Sequence, residues 1–415
     1  MDERNWAGNY RYAATAIHEP ASVDELRRVV EGATRLHALG SRHSFNAVAD
    51  TEGELVHLGR LGPDIRIAPD GASVSVNSAT HYRELARVLQ AAGLALHNLG
   101  SLPHISIGGA CSTGTHGSGD RNGNLSSAVI GLEIVLADGS LIAADRTDAR
   151  FDGMVVALGA LGVVTRLTLE TRPSYSVRQD LYLGLPWDSL FAHFDDIMSS
   201  GYSVNVLGRW QGDLLTKVWV KTRVDDEAPV IRSDLFGAVL ETSGEYVSPS
   251  GLTNETVNGV PGPWNERLAH FRGELPPGYG EEVQTEYMVD RRHAVAAIAA
   301  VRELGHSIDP ILLSSEIRSM SADQLWLSPA YDRQTVAIHF TFRRETAAIA
   351  GVLPAIEEAL APFEPRPHWG KLYALDAAAI EQRYPRMADF RALARSLDPE
   401  AKFHSDFLEN QVYAR

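Results

Sequence analysis

One glycine-rich run, residues 101–119, constrains this chain more than any other stretch of its sequence. It reads Ser-Leu-Pro-His-Ile-Ser-Ile-Gly-Gly-Ala-Cys-Ser-Thr-Gly-Thr-His-Gly-Ser-Gly, and glycine lets a backbone turn sharply and approach a ligand closely. Successive free N–H groups beside Ser and Thr hydroxyls form a concave site for an anion. A flexible linker is the alternative, but a linker has no use for the apolar residues Leu102, Ile105 and Ile107. We therefore interpret the run as a loop that holds phosphate.

A second loop, residues 35–46, repeats this chemistry upstream. Leu36 and Ala38 belong to an apolar strand pattern that runs into Gly40-Ser41 and further polar residues. Neither loop contains the Gly-x-Gly-x-x-Gly fingerprint of a Rossmann fold, and Gly370-Lys371-Leu372 lacks the pattern of a Walker loop. Two such loops in one region predict a ligand with two phosphates held from both sides, such as a dinucleotide bound without a Rossmann fold.

Three motifs carry a resemblance to a known family. They are Gly40-Ser41-Arg42-His43-Ser44-Phe45-Asn46, the run 101–119 and His368-Trp369-Gly370-Lys371. In this order and spacing they resemble the FAD-dependent oxidoreductases of the vanillyl-alcohol-oxidase type, and most closely the branch that holds alditol oxidases and aldonolactone oxidases. The resemblance covers essentially the whole chain. It implies an α+β protein with an FAD-binding domain of the PCMH type and an α+β substrate (cap) domain.

The secondary-structure patterns agree with two domains, since 415 residues are too many for one ordinary core. We predict an FAD-binding domain at 1–173, a cap domain at 174–371, and a C-terminal segment, 372–415, that packs back on the first domain. In the first domain the patterns predict helices capped by Ser22 and begun at Thr80, a strand at 74–76, a hairpin at Asp138-Gly139 and a strand at 163–169. In the second they predict helices at 187–198, 291–304 and 345–360, strands at 202–210, 215–222, 311–319 and 334–342, and a turn-rich stretch, 225–284, with ordered loops at 260–263 and 276–280.

Two predicted cap strands each carry polar residues on one face. Glu316 and Arg318 are two residues apart, so both side chains point to the same side of a sheet, and the same holds for His339 and Thr341. The intervening apolar residues predict that the opposite face is core. A solvated polar face is the alternative, and it is common for alternating strands. If the two strands are neighbours, the four side chains form one polar floor.

The resemblance implies that this floor faces the flavin and shares a cavity with Ser101 and Lys371. The two cations can stabilise alkoxide character in a bound hydroxyl, the carboxylate and the threonine can hold neighbouring hydroxyls, and the imidazole is the group most able to take a proton near neutral pH. The choice of base between His339 and Lys371 stays open. The predicted catalytic residues are Glu316, Arg318, His339 and Lys371, and the predicted substrate-binding residues are Ser101, Glu316, Arg318, Thr341 and Lys371.

The resemblance also implies which residues hold FAD. We predict that His43 is the site of covalent attachment to the flavin; the alternative is a loop histidine that only forms hydrogen bonds. His116 contacts the cofactor or fixes the loop geometry. The predicted FAD-binding residues are Leu39, Gly40, Ser41, Arg42, His43, Ser44, Phe45, Ser101, Ser106, Gly109, Thr113, Gly114, Thr115, His116 and Val164.

The implied activity is oxidation of the terminal C1 alcohol of a polyol, such as xylitol or sorbitol, to the aldose, with O2 reduced to hydrogen peroxide. Oxidation of an aldono-1,4-lactone on the same fold is the alternative. A non-catalytic flavin-binding protein would be expected to lack the charged residues of the cap, so their presence argues against this class. A metal-dependent sugar hydrolase disagrees with the lack of a zinc-type ligand pattern around His104 and His116.

Composition limits the remaining function classes. The net charge of −15 argues against binding to nucleic acid or to an anionic membrane. Cys111, the single cysteine, suits a reducing compartment. The start of the sequence lacks the apolar segment of a secretory signal, and no apolar run approaches the about 20 residues of a membrane span. We therefore expect a cytoplasmic protein with no obligate protein partner.

Overall fold

The computed structural model describes residues 3–225, 230–243, 255–275 and 281–414. The first part of the chain contains a parallel sheet of order β1-β3-β2, an antiparallel sheet of order β4-β5-β9-β7-β8, and the pair β6 and β10. Its strands are β1 (Ala16–His18), β2 (Leu36–Ala38), β3 (Glu54–Val56), β4 (Arg66–Ile67), β5 (Ser73–Asn77), β6 (Leu94–Ala95), β7 (Val129–Val135), β8 (Leu141–Asp145), β9 (Val163–Glu170) and β10 (Arg172–Pro173), and its helices are α1 (Val23–Gly32), α2 (Tyr82–Ala91), α3 (Ile107–Ser112) and α4 (Phe151–Val155).

Local sequence signals explain where several of these elements begin. The Ser22 hydroxyl accepts a hydrogen bond from the Glu25 N–H at 3.1 Å, so α1 starts as predicted. The hairpin at Asp138-Gly139 joins β7 to β8, also as predicted. Helix α2 begins at Tyr82 rather than at Thr80, because the Thr80 hydroxyl donates to the Pro63 carbonyl at 3.2 Å and does not cap the helix.

The second part of the chain forms one large sheet of order β14-β15-β11-β13-β12-β18-β19-β17-β20, with β16 paired to β11. Every strand pair in it is antiparallel. Its strands are β11 (Ser176–Pro186), β12 (Ser203–Gly208), β13 (Leu214–Arg223), β14 (Asp234–Leu235), β15 (Ala238–Leu240), β16 (Gly262–Pro263), β17 (Glu282–Asp290), β18 (Leu312–Met320), β19 (Thr335–Arg343) and β20 (Arg366–Pro367), and its helices are α5 (Trp187–Ala192), α6 (Phe194–Met198), α7 (Trp264–Arg267), α8 (Ala294–Arg302), α9 (Gly305–Ile308) and α10 (Thr346–Leu360).

The cap differs from the sequence expectation in three places. The helix predicted at 187–198 is broken into α5 and α6 at His193, whose φ of −128° lies outside the helical range. Strand β17 begins at Glu282, inside the stretch 225–284 that the patterns left unassigned, and ends beyond it at Asp290. Of the two predicted loops, 260–263 ends in the short strand β16, and 276–280 lies outside the described residues.

The C-terminal residues form α11 (Ala377–Arg383), α12 (Met387–Leu397) and α13 (Asp406–Leu408). Ile380 and Phe390 are fully buried in the same hydrophobic cluster as Leu85 of α2 and Ile134 of β7. The C-terminal segment therefore shares a core with the first part of the chain. The domain boundaries at 173 and 371 stay a prediction.

Helix α10 corrects one sequence expectation. The 18-residue stretch Thr346–Phe363 has a mean hydropathy of 1.3 and is long and apolar enough to cross a membrane by length and composition. Its large side chains, Ile349, Ile356 and Leu360 among them, are buried in the core beneath the cap sheet. The exposed side of the helix carries small residues such as Ala350, so packing on the sheet explains the apolar composition.

Candidate active site

The two glycine-rich loops meet at a seam closed by two serines. Ser106 accepts a hydrogen bond through Oγ from the Ser41 N–H at 3.3 Å, and the Ser106 N–H donates to Ser41 Oγ at 3.0 Å. A Cβ added at Gly40 or at Gly109 would lie 2.8 or 2.9 Å from Ser106 Oγ. The loops approach this closely because both positions lack a side chain. The two phosphate-holding loops that the sequence predicted separately are therefore joined in one structure, which we call the seam.

The third motif, 368–371, is tied to the first loop. The Asn46 side chain donates to the Trp369 carbonyl at 2.9 Å and to the Lys371 carbonyl at 2.7 Å. The Phe45 N–H donates to the Gly370 carbonyl at 2.8 Å. The three motifs that carried the family resemblance therefore converge in space, although more than 300 residues separate the first from the last.

One cavity of about 420 Å³ joins this seam to the cap sheet. Gly114 is the predicted cofactor residue that does not line it; a Cβ there would meet Pro329 at 2.9 Å, and its φ of +66° marks a turn that favours glycine. The predicted residues that line the cavity are Leu39, Gly40, Ser41, Arg42, His43, Ser44, Phe45, Ser101, Ser106, Gly109, Thr113, Thr115, His116, Val164, Glu316, Arg318, His339, Thr341 and Lys371.

Strands β18 and β19 are neighbours and place their polar residues on the cavity side. Glu316 lies directly opposite His339, and Ser314 lies opposite Thr341. On the far side of β19, strand β17 places Glu286 opposite His339. These three strands form the polar floor, which we define as Glu286, Glu316, Arg318, His339 and Thr341 together with Lys371.

Glu286 is the electrostatic centre of the polar floor. It is fully buried, and its carboxylate lies 2.7 Å from Lys371 Nζ, 3.2 Å from His116 Nε2 and 3.8 Å from Arg318 Nη2. Burial opposes ionisation of Glu286, but the Lys371 ammonium and His116 outweigh it and hold the pKa of the carboxyl well below its usual range. Burial in turn lowers the pKa of Lys371. The pair holds two opposite charges together away from water.

Arg318 connects the floor to the glycine-rich run. Its Nη1 donates to Ser101 Oγ at 3.0 Å, and its Nε lies 3.1 Å from Glu316 Oε2. With only 4% of its surface exposed, the guanidinium is aimed at the cavity by these two partners. The structure thus brings Ser101, predicted to bind substrate, to the edge of the floor.

His339 differs from the expectation of a group that titrates near neutral pH. Burial and the nearby Lys371 ammonium lower the pKa of His339 to about 3. Its Nε2 lies 3.1 Å from Gln284 Oε1, and its buried Nδ1 makes no hydrogen bond within the part of the chain that the structure describes. The imidazole is therefore neutral at pH 7, because burial and the Lys371 ammonium outweigh the carboxylates of Glu286 and Glu316, which favour an imidazolium.

His43, the predicted attachment site, lines the same cavity as the floor. Its ring stacks on Trp6 with centroids 5.0 Å apart. Burial and the neighbouring His104 lower its pKa to about 4. A neutral imidazole keeps a ring lone pair at pH 7, which is the form that can attack an electrophilic carbon. Preceding it, Arg42 adopts a left-handed φ of +62° and turns the loop.

Sequence reasoning missed several lining residues. Glu282, Gln284 and Glu286 alternate with Val283 and Thr285 along β17, which is the same signal that identified β18 and β19. It was missed because β17 adjoins the long turn-rich stretch. The other lining residues outside the prediction include Lys217, Trp219, Glu255, His270 and His368.

The charged atoms of the floor are paired with one another, as Arg318 Nε with Glu316 Oε2 at 3.1 Å and His116 Nε2 with Glu286 Oε1 at 3.2 Å. His339 Nδ1 is a buried atom of the floor with no hydrogen bond to the residues that the structure describes. Buried polar atoms are usually hydrogen-bonded, so this nitrogen indicates a place for a polar ligand. Among the residues that the structure describes, no group of three or more His, Cys, Asp or Glu side chains is placed to hold a metal ion.

Comparisons with known proteins agree with this geometry. The family described as an FAD binding domain matches residues 14–145, and the one described as D-arabinono-1,4-lactone oxidase matches residues 281–411. The chain is 44% identical over 412 residues to the alditol oxidase of Streptomyces sp., and the alignment covers 98% of each chain. It is 27% identical over 424 residues to the L-gulono-1,4-lactone dehydrogenase of Mycobacterium tuberculosis, which covers 97% of each chain.

Solved structures show the same fold. A solvent-stable cholesterol oxidase superposes with a TM-score of 0.80 at 16% identity, over 98% of this chain and 96% of that one. A cholesterol oxidase from B. sterolicum gives 0.79 at 16% identity, over 98% and 95%. At this identity the likeness concerns the fold, which is the α+β PCMH-type FAD-binding fold. Because it is 44% identical to an alditol oxidase over 98% of its length, the chain belongs to the alditol oxidase family of FAD-dependent oxidoreductases.

Proposed function

We propose that this protein is an alditol oxidase that converts the terminal C1 alcohol of an acyclic polyol, such as xylitol or sorbitol, to the aldose and reduces O2 to hydrogen peroxide. The observation that carries the proposal is the polar floor, which faces the glycine-lined seam across one cavity. A neutral polyol offers many hydroxyls and no charge. A floor with two cations, two carboxylates, an imidazole and a hydroxyl matches that pattern of donors and acceptors.

FAD, held by the seam residues of loops 40–46 and 101–119, supplies the acceptor for the hydride. The chain's own residues prepare the alcohol. The guanidinium of Arg318 and the ammonium of Lys371 stabilise negative charge that develops on the reacting hydroxyl. Glu316 and Thr341 hold the neighbouring hydroxyls and fix which carbon faces the acceptor. An imidazole whose pKa is about 3 is a weak base, so in this scheme His339 accepts a hydrogen bond from the reacting hydroxyl rather than removing its proton.

We include in this proposal a covalent bond between His43 and the flavin. Support comes from the position of His43 in the cavity wall and from its low pKa, which keeps the ring neutral. In a denaturing gel viewed under ultraviolet light, the wild-type band should fluoresce and a His43→Ala band should not. Loss of all yellow colour from denatured wild-type protein would show that the bond is absent.

The test of the activity compares two substrates. We expect purified protein to release hydrogen peroxide with xylitol and much less with L-gulono-1,4-lactone, and Lys371→Met to release almost none with either. Aldonolactone oxidation is the second candidate, because the D-arabinono-1,4-lactone oxidase family matches residues 281–411, which contain β17, β18 and β19. A lactone turned over faster than xylitol would replace the proposal with that candidate.

A cytoplasmic location is part of the proposal. It rests on the single cysteine, Cys111, which is buried and suits a reducing compartment. Cell fractionation with an antibody to the protein would test it, and recovery from an extracellular or membrane fraction would contradict it.

A further inference from the structure

The cavity continues along the cap sheet well beyond the residues assigned to the polyol. A single cross-strand row crosses five strands, and each of its members lines the cavity. From the reacting end outward, the row consists of Glu286 on β17, His339 on β19, Glu316 on β18, Leu207 on β12 and Lys217 on β13. The row ends far from the proposed reaction.

The length of the row exceeds the length of a six-carbon substrate. Adjacent strands lie about 4.8 Å apart, so Lys217 is about 14 Å from His339 along the row. An extended chain advances about 3.5 Å per three bonds, so a hexitol is about 8 Å long from end to end. A hexitol with its first carbon at His339 therefore ends near Leu207 and does not reach Lys217.

The far end of the row is a built polar site. Lys217 Nζ lies 3.0 Å from Glu255 Oε1, and the two side chains are only 6% and 18% exposed. The same ammonium lies 4.1 Å from the centre of the Trp219 ring. Burying an ion pair costs desolvation that its attraction barely offsets, so stability alone explains this pair poorly. An acid and a base side by side can bind sugar hydroxyls, and the Trp219 ring, which is 3% exposed and contacts both Lys217 and His270, fixes the position of the ammonium.

The described residues beside Glu255 are tied to their surroundings, and the Thr256 N–H donates to the His270 carbonyl at 2.9 Å. Lys221 Nζ donates to the carbonyls of Leu268 at 2.6 Å and of Ala269 at 3.0 Å. The Phe271 N–H donates to the Ser101 carbonyl at 3.2 Å, which ties the loop to the glycine-rich run. Between these anchors, His270 Nδ1 lies 3.5 Å from Glu316 Oε2 and joins the far end to the polar floor. These contacts connect the described residues 268–271 to the cap sheet and to the glycine-rich run.

We propose that Lys217, Glu255 and Trp219 form an outer subsite that binds a sugar ring attached to the far end of the alditol, so that the preferred substrates include 6-O-glycosyl alditols. A pyranose ring adds about 5 Å to the about 8 Å of a hexitol by ordinary bond lengths, which reaches the about 14 Å position of Lys217. This inference rests on the proposed alditol oxidation.

The experiment compares isomaltitol, which is 6-O-glucopyranosyl-sorbitol, with sorbitol, which is the same alditol without the ring. In the wild-type holoenzyme, kcat/KM for isomaltitol should equal or exceed that for sorbitol. Glu255→Gln, which keeps the shape of the side chain, should lower kcat/KM for isomaltitol about tenfold and change the value for sorbitol less than twofold. Lys217→Gln removes the ammonium of the same ion pair and should change the two kcat/KM values in the same way.

Two results would overturn the subsite: isomaltitol used at less than a hundredth of the efficiency of sorbitol by the wild type, or an equal loss for both compounds in either variant. If neither compound is oxidised, the proposed function fails and calorimetric binding decides the subsite separately. Tighter binding of isomaltitol than of sorbitol to the wild-type holoenzyme then supports it, and equal binding overturns it.

Discussion

The two walls of the cavity bind by opposite means. The glycine-lined seam consists of backbone N–H groups and Ser and Thr hydroxyls, and it is closed by the reciprocal bonds of Ser41 and Ser106. The polar floor consists mainly of charged side chains, with the fully buried Glu286 carboxylate 2.7 Å from the partly buried Lys371 ammonium. A seam of this kind recognises the shape of a phosphate-bearing cofactor, whereas the floor acts on charge that develops in a reaction. Changes to the seam should therefore alter cofactor content, and changes to the floor should alter turnover.

The largest effect that separates the two walls is expected at Lys371. Lys371→Met removes a cation from the reacting hydroxyl, so kcat with xylitol should fall by about 10²–10³-fold. Flavin content and the flavin absorption bands should stay as in the wild type, because Lys371 lies outside the seam. Steady-state kinetics and an absorption spectrum of the same preparation check both statements.

The control for this variant also neutralises Glu286, the carboxylate that Lys371→Met leaves without its cation. Lys371→Met leaves the Glu286 carboxylate buried without its ammonium, which can cost several kcal/mol of stability. Lys371→Met with Glu286→Gln restores neutrality, and it should melt closer to the wild type while staying inactive. Wild-type turnover in the single variant would remove Lys371 from the site.

The second expected effect tests the seam. Gly109→Ala places a methyl group 2.9 Å from Ser106 Oγ, which must move and give up its bond to Ser41. Overpacking of this kind costs about 1–3 kcal/mol, so FAD should bind more weakly before the covalent bond forms and less of the protein should acquire it. The ratio of flavin to protein absorbance should drop, whereas turnover per bound flavin should not.

Gly351→Ala is the matched control for the seam, because nothing lies within 4 Å of a Cβ at that helical position. It should keep full flavin content. Normal flavin content in Gly109→Ala, or a loss of similar size in both variants, would contradict the assignment of the seam to the cofactor.

The two walls also differ in how far the sequence predicts them. The seam is formed by two stretches that are each contiguous, so glycine content and apolar anchors such as Ile105 suffice to predict it. The floor is formed by residues brought together from three strands. Alternation identified Glu316 and His339 as members of polar faces, but strand order is a long-range property that no local pattern contains. Glu286 was missed for this reason, together with the turn-rich stretch before β17.

The charge state of His339 shows a second limit of sequence reasoning. An isolated histidine titrates near pH 6.5, and that value suggested a base for neutral pH. Its pKa of about 3 results from burial and from Lys371 nearby, which depend on packing that the sequence does not display. The fold class and the positions of most of the long elements were predictable, whereas the ionisation of the lining residues was not.

A third prediction uses pH to compare the two halves of the molecule. Burial lowers the pKa of His97, in the first half, and of His270, beside the floor, to about 4 each. Unfolded histidine has a pKa of about 6.5, so between pH 6.5 and 4 the unfolded state binds protons that the native state does not. The free energy of unfolding should therefore fall with falling pH by about 1.4 kcal/mol per unit for each histidine, and stay independent of both above pH 7.

Urea unfolding of the holoenzyme at pH 7, 6 and 5 measures this slope. His97→Asn and His270→Asn should each reduce it by about one proton, which shows that both halves contribute. Asp323, whose pKa is raised to about 6 by burial, acts in the opposite direction and is the same in all three proteins. An unchanged slope in both variants would show that these histidines are protonated in the native state.

The smallest expected effect concerns Ser101, which belongs to both walls. Its hydroxyl accepts a hydrogen bond from Arg318 at 3.0 Å, while Arg318 keeps Glu316 and Glu286 as partners. Ser101→Ala should therefore cost about 1 kcal/mol in substrate binding, seen as an about fivefold rise in KM for xylitol with normal flavin content. Ser106→Ala is its counterpart in the seam and should lower flavin content without changing KM. If Ser101→Ala lost flavin instead, Ser101 would belong to the seam alone. Its assignment to both walls of the cavity would then be wrong.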